Sequence, residues 1–269
     1  MHKYIIAWIL MFLASQCIAQ QLPGHYEVEG ATRTPVDSLK IKDYTLYWFD
    51  YLDSAGYRYS ILHPMSIYKI GKEFAFIDAC VFLPYNFKVL YPSIGHDQYY
   101  WDINRDGLDE IAVRHFSGGA NCCFGVNIYS LSDTVALIFS HEPDYYESFD
   151  IVDLDQDSVL EIITHDTYFG LWMGLYKHYT PPLIWRWKDG KYNLANNDFS
   201  DYALKDLNLT DITRNDFWNL AIYYFYAGKW GEVDSIFNIF YIQNPDTTFQ
   251  KNYRNFKDLI KHNPLYPQE

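Results

Sequence analysis

Residues 102–110 read Asp102-Ile103-Asn104-Arg105-Asp106-Gly107-Leu108-Asp109-Glu110. Oxygen-bearing side chains stand at positions 1, 3, 5 and 9 of this stretch, with glycine at position 6. A loop turning about a cation points alternate side chains inward, and Ca²⁺ takes about six to eight oxygens at about 2.3–2.6 Å. Gly107 allows a turn that a Cβ would resist. The expectation is a calcium loop with Asp102, Asn104, Asp106 and Glu110 as side-chain ligands and Leu108 giving its carbonyl. Mg²⁺ fits less well, because it keeps its water and demands octahedral geometry.

The pattern recurs. Asp153-Leu154-Asp155-Gln156-Asp157-Ser158-Val159-Leu160-Glu161 repeats the spacing at an offset of 51 residues. The corresponding ligands are Asp153, Asp155, Asp157, the Val159 carbonyl and Glu161. Ser158 stands where the first loop has glycine, which puts its turn geometry in question. Aromatic-rich segments precede both loops, and a short apolar run follows each. A repeat of this length suits a β unit of propeller-blade size better than a helical pair. All the donors come from one continuous segment, so a structural ion is expected rather than a catalytic one.

Outward from the loops the pattern is strand and turn. Tyr44–Phe49 and Tyr57–Leu62 flank residues 53–56, which read as a hairpin turn. Residues 66–70 and 74–77 flank a second turn at residues 71–73, and residues 86–91 form another strand candidate. Strands are expected at 111–113, 126–129 and 135–139. Asp189-Gly190 between two alternating runs is a strong hairpin signal. Residues 20–42, with Pro23, Gly24, Gly30 and Pro35, read as irregular. After about residue 200 the apolar period becomes helical. Phe217, Leu220, Ala221, Tyr224 and Phe225 mark one helix, broken at Gly228 and preceded by a capping-box-like Thr213–Asp216. A second helix covers about residues 231–243 and a third about 249–261. The fold expected is mainly β, with propeller-like or sandwich-like repeated meanders and a C-terminal α-helical segment. The domain plan is a signal peptide at 1–19, a β-rich repeat domain at 20–198 and helices at 205–269.

Composition sets the setting. Lys3, the apolar run from Tyr4 to Leu13 and the small residue Ala19 form a secretory signal layout, implying an exported chain. The run is too short to span a bilayer comfortably. Acylation at Cys17 is less favoured, because Gln16 stands where a small residue is wanted. The formal net charge of −13 opposes nucleic acid and anionic membranes and suits divalent cations. Aromatics make up 19% of the chain, a bias toward pleated sheet. Cys80, Cys122 and Cys123 remain after processing, and export favours a disulfide among them over a Cys nucleophile served by His115 or His141. His63 and His96 read as ordinary surface or core residues. No nucleophile elbow or phosphate-binding loop appears around Ser117-Gly118-Gly119.

At the two loops the chain resembles the FG-GAP or VCBS repeats of integrin-type β-propellers. In that family a loop of this pattern joins two strands and binds Ca²⁺. The resemblance covers residues 102–111 and 153–162. Residues 117–123 are similar to a small-residue, Cys-Cys run of uncharacterised exported bacterial proteins, with Asn121 where those carry His. Residues 217–245 resemble a single tetratricopeptide unit, through Leu220, Ala221, Tyr224, Gly228, Phe237 and Pro245. One such unit forms no peptide groove. Bulky Val233 and Phe240 would block repeat stacking, so this hairpin is expected to pack on the β part.

The leading expectation is an exported, non-enzymatic Ca²⁺-binding protein that presents a surface to a protein or glycan. Two alternatives belong to other classes. One is a secreted hydrolase, with a catalytic metal or a sugar-binding Tyr/Trp cleft. The other is a periplasmic assembly or inhibitor protein acting through its helical hairpin.

Overall fold

The computed structural model describes residues 32–52, 64–77, 80–81, 100–116, 124–141, 149–166, 180–205, 207, 217–243 and 245–263. The chain divides into two compact units, Met1–Glu147 and Ser148–Glu269. Among the described residues it is mainly β, with three four-stranded antiparallel sheets and a group of C-terminal helices.

The first unit holds two sheets. Strands β1 (Thr32–Ile41), β2 (Tyr44–Leu52), β3 (Met65–Lys69) and β4 (Lys72–Ile77) pair in chain order. The first of these corrects the expectation of irregular chain at 20–42 over residues 32–41, residues 20–31 lying outside the described residues. Pro35 and Gly30 suggested a loop, but among the described residues β1 is the outer strand of its sheet, where a proline is tolerated. The register shifts between Pro35 and Asp37, which takes up the missing donor as a bulge. Ile70 (φ 51°) and Gly71 (φ 75°) form the tight turn between β3 and β4, with both residues at positive φ as a type I′ hairpin requires.

The second sheet contains β5 (Cys80–Val81), β6 (Asp109–Phe116), β7 (Phe124–Leu131) and β8 (Val135–His141), again in chain order. Ile41, Leu46, Trp48, Met65 and Ile67 of the first sheet share one buried cluster with Ile111, Val113, Tyr129 and Leu131 of the second. Alternate residues of each strand supply it, as a half-buried pleat dictates. Each fully buried aliphatic or aromatic side chain there stabilises the fold by about 1.5–3 kcal/mol. Lys42, in the β1–β2 turn, forms an ion pair with Asp109 at the end of the first acidic loop.

The second unit opens with β9 (Asp150–Val152), β10 (Glu161–His165), β11 (Pro182–Lys188) and β12 (Lys191–Leu194). Asp189 and Gly190 make the expected hairpin turn, with φ of 55° and 79°. Among the described residues four helices follow: α1 (Ser200–Leu204), α2 (Phe217–Tyr226), α3 (Trp230–Gln243) and α4 (Thr247–Ile260). Asp246 caps α4 by accepting from the Thr248 and Phe249 amides at 2.7 and 3.1 Å. Phe217, Phe237, Phe249, Tyr253 and Phe256 form the helical core, joined by Leu183 from β11. Trp185 and Leu194 pack against the same cluster. Val233 is fully buried and Phe240 lies against that core, so the helical hairpin rests on sheet residues of its own unit. Asn196 continues the sheet with its side chain. It accepts from the Ile184 amide at 2.8 Å and donates to the Pro182 carbonyl at 2.7 Å, as a neighbouring strand would.

No helix among the described residues is long and apolar enough to cross a membrane. The turn candidate at 53–56, the strand candidate at 86–91, Thr213–Asp216, Cys122, Cys123, His63 and His96 lie outside the described residues.

Candidate metal centre

Each acidic loop leads into a strand whose early glutamate is wholly buried. Glu110 and Glu161 are both 0% exposed. A carboxylate does not go below the surface without a partner, since desolvation of a charge is costly. In both loops half of that requirement is met by backbone. Glu110 Oε2 accepts from the Ile103 amide at 2.9 Å, and Glu161 Oε2 accepts from the Leu154 amide at 2.8 Å.

The correspondence continues along the whole loop. Gly107 and Ser158 donate their amides to Asp102 Oδ2 and Asp153 Oδ2, at 3.1 and 3.0 Å. Leu108 and Val159 donate theirs to Asp106 Oδ1 and Asp157 Oδ1, at 2.9 and 2.8 Å. Arg105 and Gln156 share a left-handed backbone, with φ of 60° and 63°. Gly107 and Ser158 share another, with φ of 87° and 72°. Glu110 pairs with Trp101 and Glu161 with Val152. Every one of these correspondences falls at the offset of 51. Ser158 therefore takes the conformation that glycine takes in the first loop, despite the steric cost of a Cβ there.

In the first loop two buried oxygens are left open. Glu110 Oε1 and Asp102 Oδ1 have no hydrogen-bond partner. Asn104, 4% exposed, accepts from the Asp106 amide at 3.1 Å and donates to Asp106 Oδ2 at 3.1 Å. Burial pushes the Glu110 carboxyl up to about 8, opposed by the Ile103 amide and by the nearby Ser130 hydroxyl, and reinforced by Asp106 and Asp102. Ser130 faces Glu110 across the ladder and favours the ionised form without closing a geometric hydrogen bond. Among the described residues, no basic side chain lies within ion-pair distance of Asp102, Asp106 or Glu110. A protein in this state has two remedies, a proton or a cation. Three carboxylates, an amide oxygen and open buried oxygens match the hard-donor set that Ca²⁺ selects.

Among the described residues, it is the second loop that brings three acids together. Oxygens of Asp153, Asp155 and Glu161 lie within 4.8 Å of one another. Burial raises Glu161 to about 7, with the Leu154 amide and Arg186 pulling the other way. Arg186, on β11, reaches into this loop. Its Nη2 donates to Asp155 Oδ2 and, at 3.2 Å, to Asp157 Oδ2, while its Nε lies 3.9 Å from Glu161 Oε1.

The sequence-derived ligand positions Asp102, Asn104, Asp106 and Glu110 thus converge on one loop, and Asp153, Asp155, Asp157 and Glu161 on the other. Leu108 and Val159 sit where their amides close turns onto the fifth position of each loop. Ser130 and Arg186 escaped the sequence reading because they come from the following strand. They are 56 residues apart rather than 51, since the connection before β11 is longer than the one before β7. Comparison with known protein families, characterised proteins and solved structures finds no match to this chain.

Proposed function

We propose that this chain is an exported, non-enzymatic Ca²⁺-binding β-repeat protein, in which an ion held by residues 102–110 fixes one β unit and helps present a surface to a protein or glycan partner. The observation that carries this reading is the Glu110 carboxyl, fully buried, with one oxygen on the Ile103 amide and the other without a hydrogen-bond partner, in the field of Asp106 and Asp102. A divalent cation there would meet the open oxygens and offset the mutual repulsion of the three acids. The three sheets are each a consecutive four-stranded antiparallel meander, the composition of a propeller blade, which supports a propeller-like repeat reading. The export reading rests on the signal layout of residues 1–19, and the acidic surface argues for partners other than nucleic acid.

The test is thermal unfolding of the full chain in Ca²⁺ and in EGTA. Ligand bound only by the folded state adds about 2.7 kcal/mol when free ion is a hundredfold above Kd, so the midpoint rises clearly with Ca²⁺. An identical midpoint in both buffers would sink the calcium reading.

A further inference from the structure

We propose that Arg186 is the built-in cation of the second loop, so that this loop holds no metal ion in the native protein although it copies the fold of the first. The inference deepens the calcium reading and, for the first loop, rests on it.

The two loops share their backbone and differ in the side chains that face the acids. Opposite Glu110 in the ladder stands Ser130. In the second loop's sheet the ladder ends with Ile162 paired to Trp185, and Arg186, the next residue, lies beside Glu161 with its Nε 3.9 Å from Oε1. A small hydroxyl thus occupies the position from which, in the second loop, a guanidinium extends. A second difference compensates the first. Position 3 is the neutral Asn104 in one loop and Asp155 in the other, and Asp155 is the closest partner of Arg186.

The consequence shows oxygen by oxygen. In the first loop Asp102 has one oxygen on the Gly107 amide and one buried oxygen without a partner. In the second, both oxygens of Asp153 are taken, Oδ1 by the Asp157 amide at 3.1 Å and Oδ2 by the Ser158 amide at 3.0 Å. Asp155 and Asp157 each give an oxygen to Arg186. Glu161 Oε1, which accepts no hydrogen bond, has the guanidinium at 3.9 Å as its counter-charge. Arg186 therefore draws on positions 3, 5 and 9, three of the four side-chain positions a calcium ion would use. The planar guanidinium carries a fixed charge and five donors, which suits it to several carboxylates at once. It is also held from behind. Its Cζ lies 5.6 Å from the centre of the Phe199 ring, and Nη1 is 4.0 Å from Asp198 Oδ2.

The experiment counts bound Ca²⁺ per full-length chain by equilibrium dialysis, with circular dichroism confirming the fold of each variant. The wild-type protein is expected to bind one ion, and Asp106→Asn to bind none. Arg186→Ser, which gives the second loop the residue of the first, is expected to bind two. Arg186→Gln serves if the serine variant does not fold, because it keeps the length of the side chain and removes the charge. Two ions in the wild type would overturn the inference and leave the calcium reading intact. A single wild-type ion that survives Asp106→Asn but is lost in Asp157→Asn would overturn both the inference and the placing of the ion at the first loop. No ion in the wild type with one in Arg186→Ser would reject calcium at the first loop and uphold the role of Arg186. Folded Arg186 variants that bind no more ions than the wild type would overturn the inference.

Discussion

Glu110 and Glu161 sit at the same place in two loops and face different company. Without a metal ion, each folded carboxyl holds its proton more tightly than the unfolded chain does. The ordinary value is 4.5, and burial raises Glu110 to about 8 and Glu161 to about 7. Between the two values the folded state carries more protons than the unfolded state, so stability falls as pH rises. In EGTA, the unfolding midpoint in urea is therefore expected to decline from pH 5 to pH 8. Each group contributes a slope of at most about 1.4 kcal/mol per pH unit. Glu110→Gln, which keeps the shape and cannot ionise, should flatten the part of the decline above pH 7. A midpoint in EGTA that rises steadily across this range would contradict the assignment. Calcium should also flatten the decline, because an ion favours the ionised carboxylate that the proton opposes.

At the level of elements, the second sheet-bearing unit depends on a side chain that imitates a strand. Asn196 is 2% exposed and satisfies one amide and one carbonyl of β11. Truncation to alanine leaves the Ile184 amide and the Pro182 carbonyl without these partners. A buried group stripped of its partner costs about 1–3 kcal/mol, so Asn196→Ala is expected to lower stability by about 2–4 kcal/mol in urea denaturation. A loss below 0.5 kcal/mol, about the size of a neutral surface change, would show that water or another group replaces it. Nothing in Leu194-Ala195-Asn196-Asn197 signals this role, since an asparagine clamp has no periodicity. Hairpins were far easier to read. Asp189-Gly190 and Gly71 announce turns that the chain makes, because positive φ narrows the choice of residue. The strand Thr32–Ile41 was hidden by Pro35, whose meaning depends on whether a strand lies at an edge, and that is a property of the sheet. Helices α2, α3 and α4 were visible through the spacing of Phe217, Phe237 and Phe256 and the breaks at Gly228 and Pro245. Helix α1, only five residues long, gives too short a period to detect.

For the molecule as a whole, the two loops belong to different compact units, one at 102–110 and the other at 153–161. If only the first holds an ion, chelation acts on one unit. Hydrogen exchange in EGTA is expected to quicken in residues 102–116 and to stay unchanged in residues 153–165. Equal acceleration in both segments would count against a metal-free second loop. The likeness of the two loops was legible because their acids and the isoleucine that follows recur at one offset, with Ser158 in the place of Gly107. Their asymmetry was not, because Ser130 and Arg186 meet their loops only through strand pairing. The feature with the widest reach is the proline in β1. An outer strand offers a row of unpaired amides and carbonyls, a template on which a second chain can add. Pro35 has no amide hydrogen to give, and the register shift beside it breaks the even spacing that an incoming strand needs. A residue that obscured the strand in the sequence thus makes β1, the outer strand among the described residues, a poorer template for strand addition.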